Sequence, residues 1–194
     1  MSAMSTVFEL NSPELQVDQL TARIEKLEAQ LASAPDPNRM NLLVFEASRD
    51  RLLAAFVMAN GAAACGMEVT MFFTFWGTAA LKKDGPQSRG KSLVEWAFGF
   101  MLPRGANRTA LSQMDMCGLG RMLMQSEMKK KNIADLNELI STAGELGVKL
   151  RVCEMSMQLM GIRREELIDY PNLDFCGVAT FADMTAQANT TLFI

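Results

Sequence analysis

Two apolar runs of strand length, with one helix-patterned segment between them, constrain this chain more than any other feature. Asn41-Leu42-Leu43-Val44-Phe45-Glu46 carries a continuous apolar run, as suits a strand covered on both faces. From about Arg49 to Cys65, Leu52, Leu53, Phe56, Val57 and Ala63 fall on one side of a helix. Ser48 stands where a cap belongs, and Gly66 ends the helix. Glu68 to Phe75 is a second strand, and Trp76-Gly77-Thr78 breaks off into a loop at its carboxyl end. Strand, helix and strand at this spacing make a βαβ unit, so the sheet is parallel. Sites in open α/β sheets lie at the carboxyl edge of the strands.

The same alternation returns downstream. Asp135 opens a helix with Leu136, Leu139, Ile140, Ala143 and Leu146 on one side, closed by Gly147. Val148, Leu150 and Val152 then alternate as a strand. From Met155 the spacing changes, and Met155, Leu159 and Ile162 fall on one helical face. Cys153 therefore sits where a strand ends and a helix begins, facing unpaired N–H groups and the positive end of a helix dipole. Both favour the thiolate, the nucleophilic form of cysteine. Ser156, one turn on, is placed to orient that anion or to bond backbone, and Lys149 and Arg151 either rim the site or lie on a solvated strand edge. Arg163 to Ile168 reads as a short polar helix and Tyr170-Pro171-Asn172 as a turn. Phe175-Cys176-Gly177-Val178 leads into a helix to about Ala188, and Thr190 to Ile194 is a closing strand.

The N-terminal part follows a different rule. Residues 1–12 read as irregular. Ser12 and Pro13 then form a helix start, followed by Val17, Leu20, Ile24, Leu27 and Leu31 at heptad spacing. Ala34-Pro35-Asp36-Pro37-Asn38 cannot continue the helix. The expected domains are thus 1–38, a tail, a coiled-coil-like helix and a Pro-rich linker, and 39–194, an α/β domain. A seam this short is marginal alone, which favours an inter-subunit coiled coil over a helix folded back on its own domain. Between the two βα units, residues 82–91 read as an exposed loop. Leu93 to Leu102 is strongly apolar, but it is too short to span a bilayer and contains Glu95. Contact through 93–102 with a membrane surface is weighed against a subunit contact or a lid over the site, which suit it better.

Composition then removes whole classes of chemistry. The chain has no histidine, so it builds no Ser-His-Asp triad, Cys-His dyad or His-ligated zinc site. Its four cysteines, Cys65, Cys117, Cys153 and Cys176, contain no C-x-x-C pair. No metal or other cofactor is expected. Cys117-Gly118-Leu119-Gly120 is neither a P-loop nor a dinucleotide fingerprint. A net charge of −3 gives no case for nucleic acid. Free thiols without an export signal point to the cytoplasm. The hydrophobic content of 49% and the 16 methionines suit subunit packing. Among the cysteines, Cys65 reads as a buried small hydrophobe and Cys176 as structural. Cys117, at a helix start running through Met128 to about Lys131, is a second candidate thiolate beside Cys153.

Four stretches together carry a resemblance: Cys153-Glu-Met-Ser-Met-Gln-Leu-Met-Gly-Ile162, the Asn41–Phe45 opening, Phe72-Phe73-Thr74-Phe75-Trp76-Gly77, and Gly177-Val178-Ala179-Thr180-Phe181 with Thr191-Leu192-Phe193-Ile194. Over about residues 40–194 the chain resembles the DsrE/DsrF-like family, in its longer, methionine-rich branch found near rhodanese and TusA-like genes. The resemblance implies a three-layer α/β/α fold with a mainly parallel sheet of about five strands, homo-oligomers, and sulfur carried as a cysteine persulfide. It assigns the sulfur-binding role to Cys153 and a second, upstream cysteine position to Cys117. The expected function is a sulfur carrier or sulfurtransferase relaying sulfane sulfur between rhodanese-like and TusA-like proteins. Two alternatives stand beside it: a thiol redox protein that pairs Cys153 with Cys117, and a non-catalytic oligomeric scaffold.

Overall fold

The computed structural model describes residues 13–194; the irregular stretch 1–12 and the expected cap Ser12 lie outside the described residues. The chain divides into two compact units between Pro35 and Asp36. The first holds helix α1, Pro13–Ser33, which ends before Pro35. Its heptad residues Val17, Leu20, Ile24, Leu27 and Leu31 are all exposed.

In the second unit the sequence builds a five-stranded sheet in the order β4-β3-β2-β1-β5. The strands are β1 Asp36–Val44, β2 Glu68–Phe73, β3 Lys149–Cys153, β4 Leu173–Cys176 and β5 Ala188–Phe193. Every neighbouring pair is parallel. β1 starts well before the apolar run, with Pro37 at its outer end. There the pairing with β5 shifts register, so the missing N–H is tolerated.

Helices cover both faces, giving the expected three-layer α/β/α arrangement. On one face lie α2, Arg49–Ala64, and α6, Leu136–Glu145. Leu52, Leu53, Phe56 and Ala59 of α2 join Leu42, Val44, Met71, Leu150 and Val152 in the main core. The Asn60 amide donates to the Leu139 carbonyl at 3.0 Å, tying the two helices together. Asp135 caps α6 in a reciprocal box with Glu138. On the other face α8, Val178–Gln187, stacks Phe181 on Phe72 with ring centroids 4.8 Å apart. A smaller cluster there holds Leu43, Phe72 and Cys153, with Phe45, Cys176 and Phe181 against them. The period-2 alternation of β3 explains the split: Leu150 and Val152 point into one layer, Arg151 and Cys153 into the other.

The structure departs from the sequence reading in several places. Trp76–Ala80 is a short helix, α3, not a loop. Leu93–Met101 is helix α4, opened by a reciprocal box between Ser92 and Glu95, a spacing that the sequence displays. Leu173–Cys176 is an edge strand, not only a lead into a helix. The remaining α-helices among the described residues are α5, Leu119–Lys130, and α7, Glu154–Met160. The buried face of α7 is Ser156, Met157 and Met160; Met155 and Leu159, expected beside Ile162, are exposed. Cys65, read as buried, is exposed. No helix among the described residues is long and apolar enough to cross a membrane.

Candidate functional site

Cys153 closes β3 and occupies the cap position of α7, at the carboxyl edge of the sheet. Its exposure is 2%. Burial alone drives a thiol towards its neutral form. Here that pressure is outweighed by the Ser156 hydroxyl and N–H, the Thr74 hydroxyl and the Met155 N–H, which together hold the Cys153 pKa below the ordinary thiol value. α7 has only seven residues, so these near donors rather than a long helix dipole make the thiol acidic.

The donors come from two chain segments that only the fold unites. Ser156 is fully buried on α7, and its Oγ lies 3.0 Å from Thr74 Oγ1, just beyond β2. The Phe75 N–H donates to the same Ser156 Oγ at 3.0 Å. With that lone pair occupied by a backbone donor, the Ser156 proton is left to point at Thr74 or at the sulfur. Phe75 reaches this position with φ +44°, in the sparsely populated left-handed region. Gly77 follows because its place lies against the Val44 carbonyl, where a Cβ would collide with backbone. Phe45 and Phe75, 5.3 Å apart at the ring centroids, add aromatic bulk at the same edge.

The thiol paired in register with Cys153 is Cys176, on β4. Register partners in a parallel pair point to the same face, and both cysteines pack in the same small cluster. Burial raises the Cys176 pKa and the nearby Cys153 raises it further, while the charge of Arg151 and its hydrogen bond offset part of the rise. Arg151 therefore serves Cys176. Lys149 instead pairs with Glu68, which also pairs with Arg39 at 3.1 Å. No local pattern signals the Cys153–Cys176 pairing, because it depends on a register between segments joined through α7 and a turn.

Cys117 stands elsewhere. It lies in a 3₁₀ turn, Met116–Gly118, just before α5, and it is exposed. Met114, Met116, Cys117 and Gly118 all have positive φ. The loop is tied down by Asp50, which accepts from the Ser112 N–H at 2.8 Å, and by Asp115, which accepts from the Leu111 N–H at 3.1 Å. Exposed Met114, Met116, Leu119 and Leu123 line an open groove beside it.

The segment 93–102 packs onto the helix that follows Cys153. Gly161, at φ +63°, ends α7 in a left-handed turn, and a Cβ there would strike Glu95 of α4. Arg163 and Glu95 form an ion pair at 3.5 Å. Phe98 and Leu102 anchor α4 to the core, leaving Leu93, Val94, Trp96, Phe100 and Met101 exposed. Among the described residues, no cluster of three or more Cys, Asp or Glu is spaced to hold a metal ion.

Comparison with known proteins identifies the family. The profile of the DsrE/DsrF/DrsH-like family matches residues 36–193. "Uncharacterized protein YrkE" of Bacillus subtilis (strain 168) is 41% identical over 156 residues, which cover 80% of this chain and 96% of that protein. "Sulfur carrier protein DsrE2" of Allochromatium vinosum is 29% identical over 163 residues, covering 82% of this chain and 99% of that protein. Among solved structures, the ychN protein from E. coli aligns with a TM-score of 0.46 and 12% identity, over 80% of this chain and 98% of that one.

Proposed function

The chain belongs to the DsrE/DsrF/DrsH-like family, and from that premise we propose that it is a sulfur carrier that holds sulfane sulfur as a persulfide on Cys153. The similarity to a sulfur carrier protein supports a sulfur-relay role in general. The observation that carries the finer reading is the buried Cys153 thiol at the cap position of α7, held below the ordinary thiol pKa by the Ser156 and Thr74 hydroxyls and the Ser156 and Met155 N–H groups. A thiolate held this way attacks the outer sulfur of a donor persulfide and expels the donor's thiolate; the product R–S–S⁻ meets the same donors. No histidine base is needed, which suits a chain that has none.

Cys117 enters the reading as the thiol that meets a protein partner. Its exposure and the apolar groove beside it suit contact with a rhodanese-like or TusA-like protein in a reducing cytoplasm. The exposed heptad face of α1 suits association of copies through a coiled coil. The exposed apolar side of α4 suits a subunit or partner contact better than a membrane surface. A second reading, a dithiol redox protein, is favoured by one observation only. It is the register pairing with Cys176, so Cys176 rather than Cys117 would be the second sulfur.

The test loads the reduced full chain with inorganic polysulfide, alkylates it without reductant and weighs it. The expected product at early times is one sulfur atom heavier on Cys153, and Cys153→Ser takes up sulfur at least about tenfold more slowly. A wild-type chain that takes no sulfur, or a Cys153→Ser chain that takes it equally well, overturns the proposal.

A further inference from the structure

We propose that Cys176 is a second persulfide station, which receives the sulfane sulfur from Cys153 across the β3–β4 pair. The inference rests on the reading that Cys153 is loaded first. Its ground is geometric. Cys153 and Cys176 are register partners on parallel neighbouring strands. Such Cα atoms lie about 4.8 Å apart, inside the range of roughly 4.4–6.8 Å over which two cysteine sulfurs can bond. Both side chains pack on the face covered by α8, in the cluster that holds Phe72 and Phe181. A sulfur atom on Cys153 thus has an acceptor thiol beside it without any movement of the fold.

The step balances without a further reactant. The Cys176 sulfur attacks the terminal sulfur of the Cys153 persulfide as its own proton passes to that terminal atom. The bond between the terminal sulfur and Cys153 breaks, and its electron pair stays on Cys153 as the thiolate. One S–S bond is lost and one is formed, and no electron enters or leaves the protein.

Three observations set the direction. The thiolate left on Cys153 is the one that Ser156, Thr74 and Met155 stabilise, which makes it the better leaving group of the pair. The Cys176 thiol is the more basic of the two and so the better holder of a sulfur–sulfur bond. Arg151, which hydrogen-bonds Cys176, also has a buried Nε with no hydrogen-bond partner, a cationic donor beside the sulfur that Cys176 would carry. Exposure runs the same way: Cys153 is buried and Cys176 only partly so. Sulfur moved to Cys176 has moved from a closed position to a more open one.

The experiment follows the sulfur in time. The reduced full-length chain is mixed with inorganic polysulfide, quenched at intervals with iodoacetamide and digested with trypsin without reductant. Cleavage after Arg151, Arg163 and Arg164 puts Cys153 and Cys176 on different peptides. The expected result is an extra sulfur on the Cys153 peptide first and most of it on the Cys176 peptide at equilibrium. Cys176→Ser should retain it on Cys153. In Cys153→Ser, loading of Cys176 should slow by at least about tenfold, because the protonated thiol is left to react alone.

Several results overturn the proposal. Sulfur that stays on Cys153 in the wild type, with Cys176→Ser indistinguishable, removes the second station and leaves the Cys153 carrier intact. Unslowed loading of Cys176 in Cys153→Ser makes it an independent site. A Cys153–Cys176 disulfide with released sulfide replaces the relay by redox chemistry. No sulfur on either cysteine in any variant removes both the relay and the carrier reading beneath it.

Discussion

Cys153 and Cys117 both stand just before a helix, yet the fold prepares them in opposite ways. Around Cys153 the donors come from the turn after β2 and from α7, and the thiol is shut away from water. Around Cys117 the backbone itself is shaped, with positive φ at Met114, Met116, Cys117 and Gly118, and the thiol is exposed. The contrast shows that a helix start is a location rather than a mechanism. The Cys153 thiol is held acidic by α7 donors together with one hydroxyl from across the fold, which offset burial; the Cys117 thiol is exposed on a held loop.

The largest effect that tests this contrast is on the rate of sulfur loading. Cys153→Ser should slow polysulfide loading by at least about tenfold, whereas Cys117→Ser should load at the wild-type rate and lose only exchange with a protein donor or acceptor. Mass spectrometry of the intact chain reads the first, and transfer to a persulfide-accepting protein reads the second. Equal loss of loading in both variants would erase the distinction between the two sites.

Next in size come two glycine variants. Gly161→Ala combines a left-handed backbone with a Cβ that strikes Glu95, including its backbone, so α4 and α7 must part. The expected cost is about 2–4 kcal/mol in chemical denaturation, with faster alkylation of Cys153. Gly120→Ala drives a Cβ into the Met114 carbonyl, but α5 has no buried residue. The strain should therefore stay in the loop at a cost of about 1 kcal/mol, altering Cys117 while Cys153 alkylation keeps its wild-type rate.

How much of this was legible in the chain depends on the range of the interaction. β1, β2 and β3 were readable because their apolar runs and the helices between them are local patterns, and the βαβ spacing already required a parallel sheet. The position of Cys153 followed from the same pattern. β4 was missed because Leu173–Cys176 has four residues, none of them fully buried, and contains Asp174. The buried face of α7 was misassigned because seven residues are too few for spacing to fix a face, and a polar residue, Ser156, lies at its centre. The Cys153–Cys176 pairing was not readable, because nothing in local sequence encodes a cross-strand register. The Ser92–Glu95 box was in plain view, but the irregular composition around it masked a nine-residue helix.

Ser156→Ala tests the donors directly. Removing Oγ leaves the Phe75 N–H without its acceptor, at a cost of about 1–3 kcal/mol. It also removes the first of the donors that lower the Cys153 pKa. Loading rate follows the thiolate, so the wild-type rate should climb at a pH below that of an ordinary thiol, and the variant's climb should move to higher pH. Linkage gives a second readout. Because the folded pKa is depressed, the anion's contribution to stability is full above the unfolded thiol pKa of about 8.5. It fades as the pH falls through the folded value. The stability deficit of Ser156→Ala should therefore be wider at alkaline pH than at neutral pH.

The smallest expected effect is the most discriminating. Thr74→Val keeps the shape of a buried side chain and removes one hydroxyl, which touches Ser156 Oγ at 3.0 Å and contributes less than Ser156 to the acidity of Cys153. Ser156 would still accept from the Phe75 N–H and would still have a proton to give, now with the sulfur as its only listener. The stability cost should be about 1 kcal/mol or less, and the rise in the pH profile should move the same way as in Ser156→Ala but by less. If Thr74→Val moved the profile as far as Ser156→Ala, Thr74 would be the group that faces the sulfur and Ser156 only its support. The acid thiol would then be built from the end of β2 rather than from α7, and the cap position would matter less than the neighbouring strand.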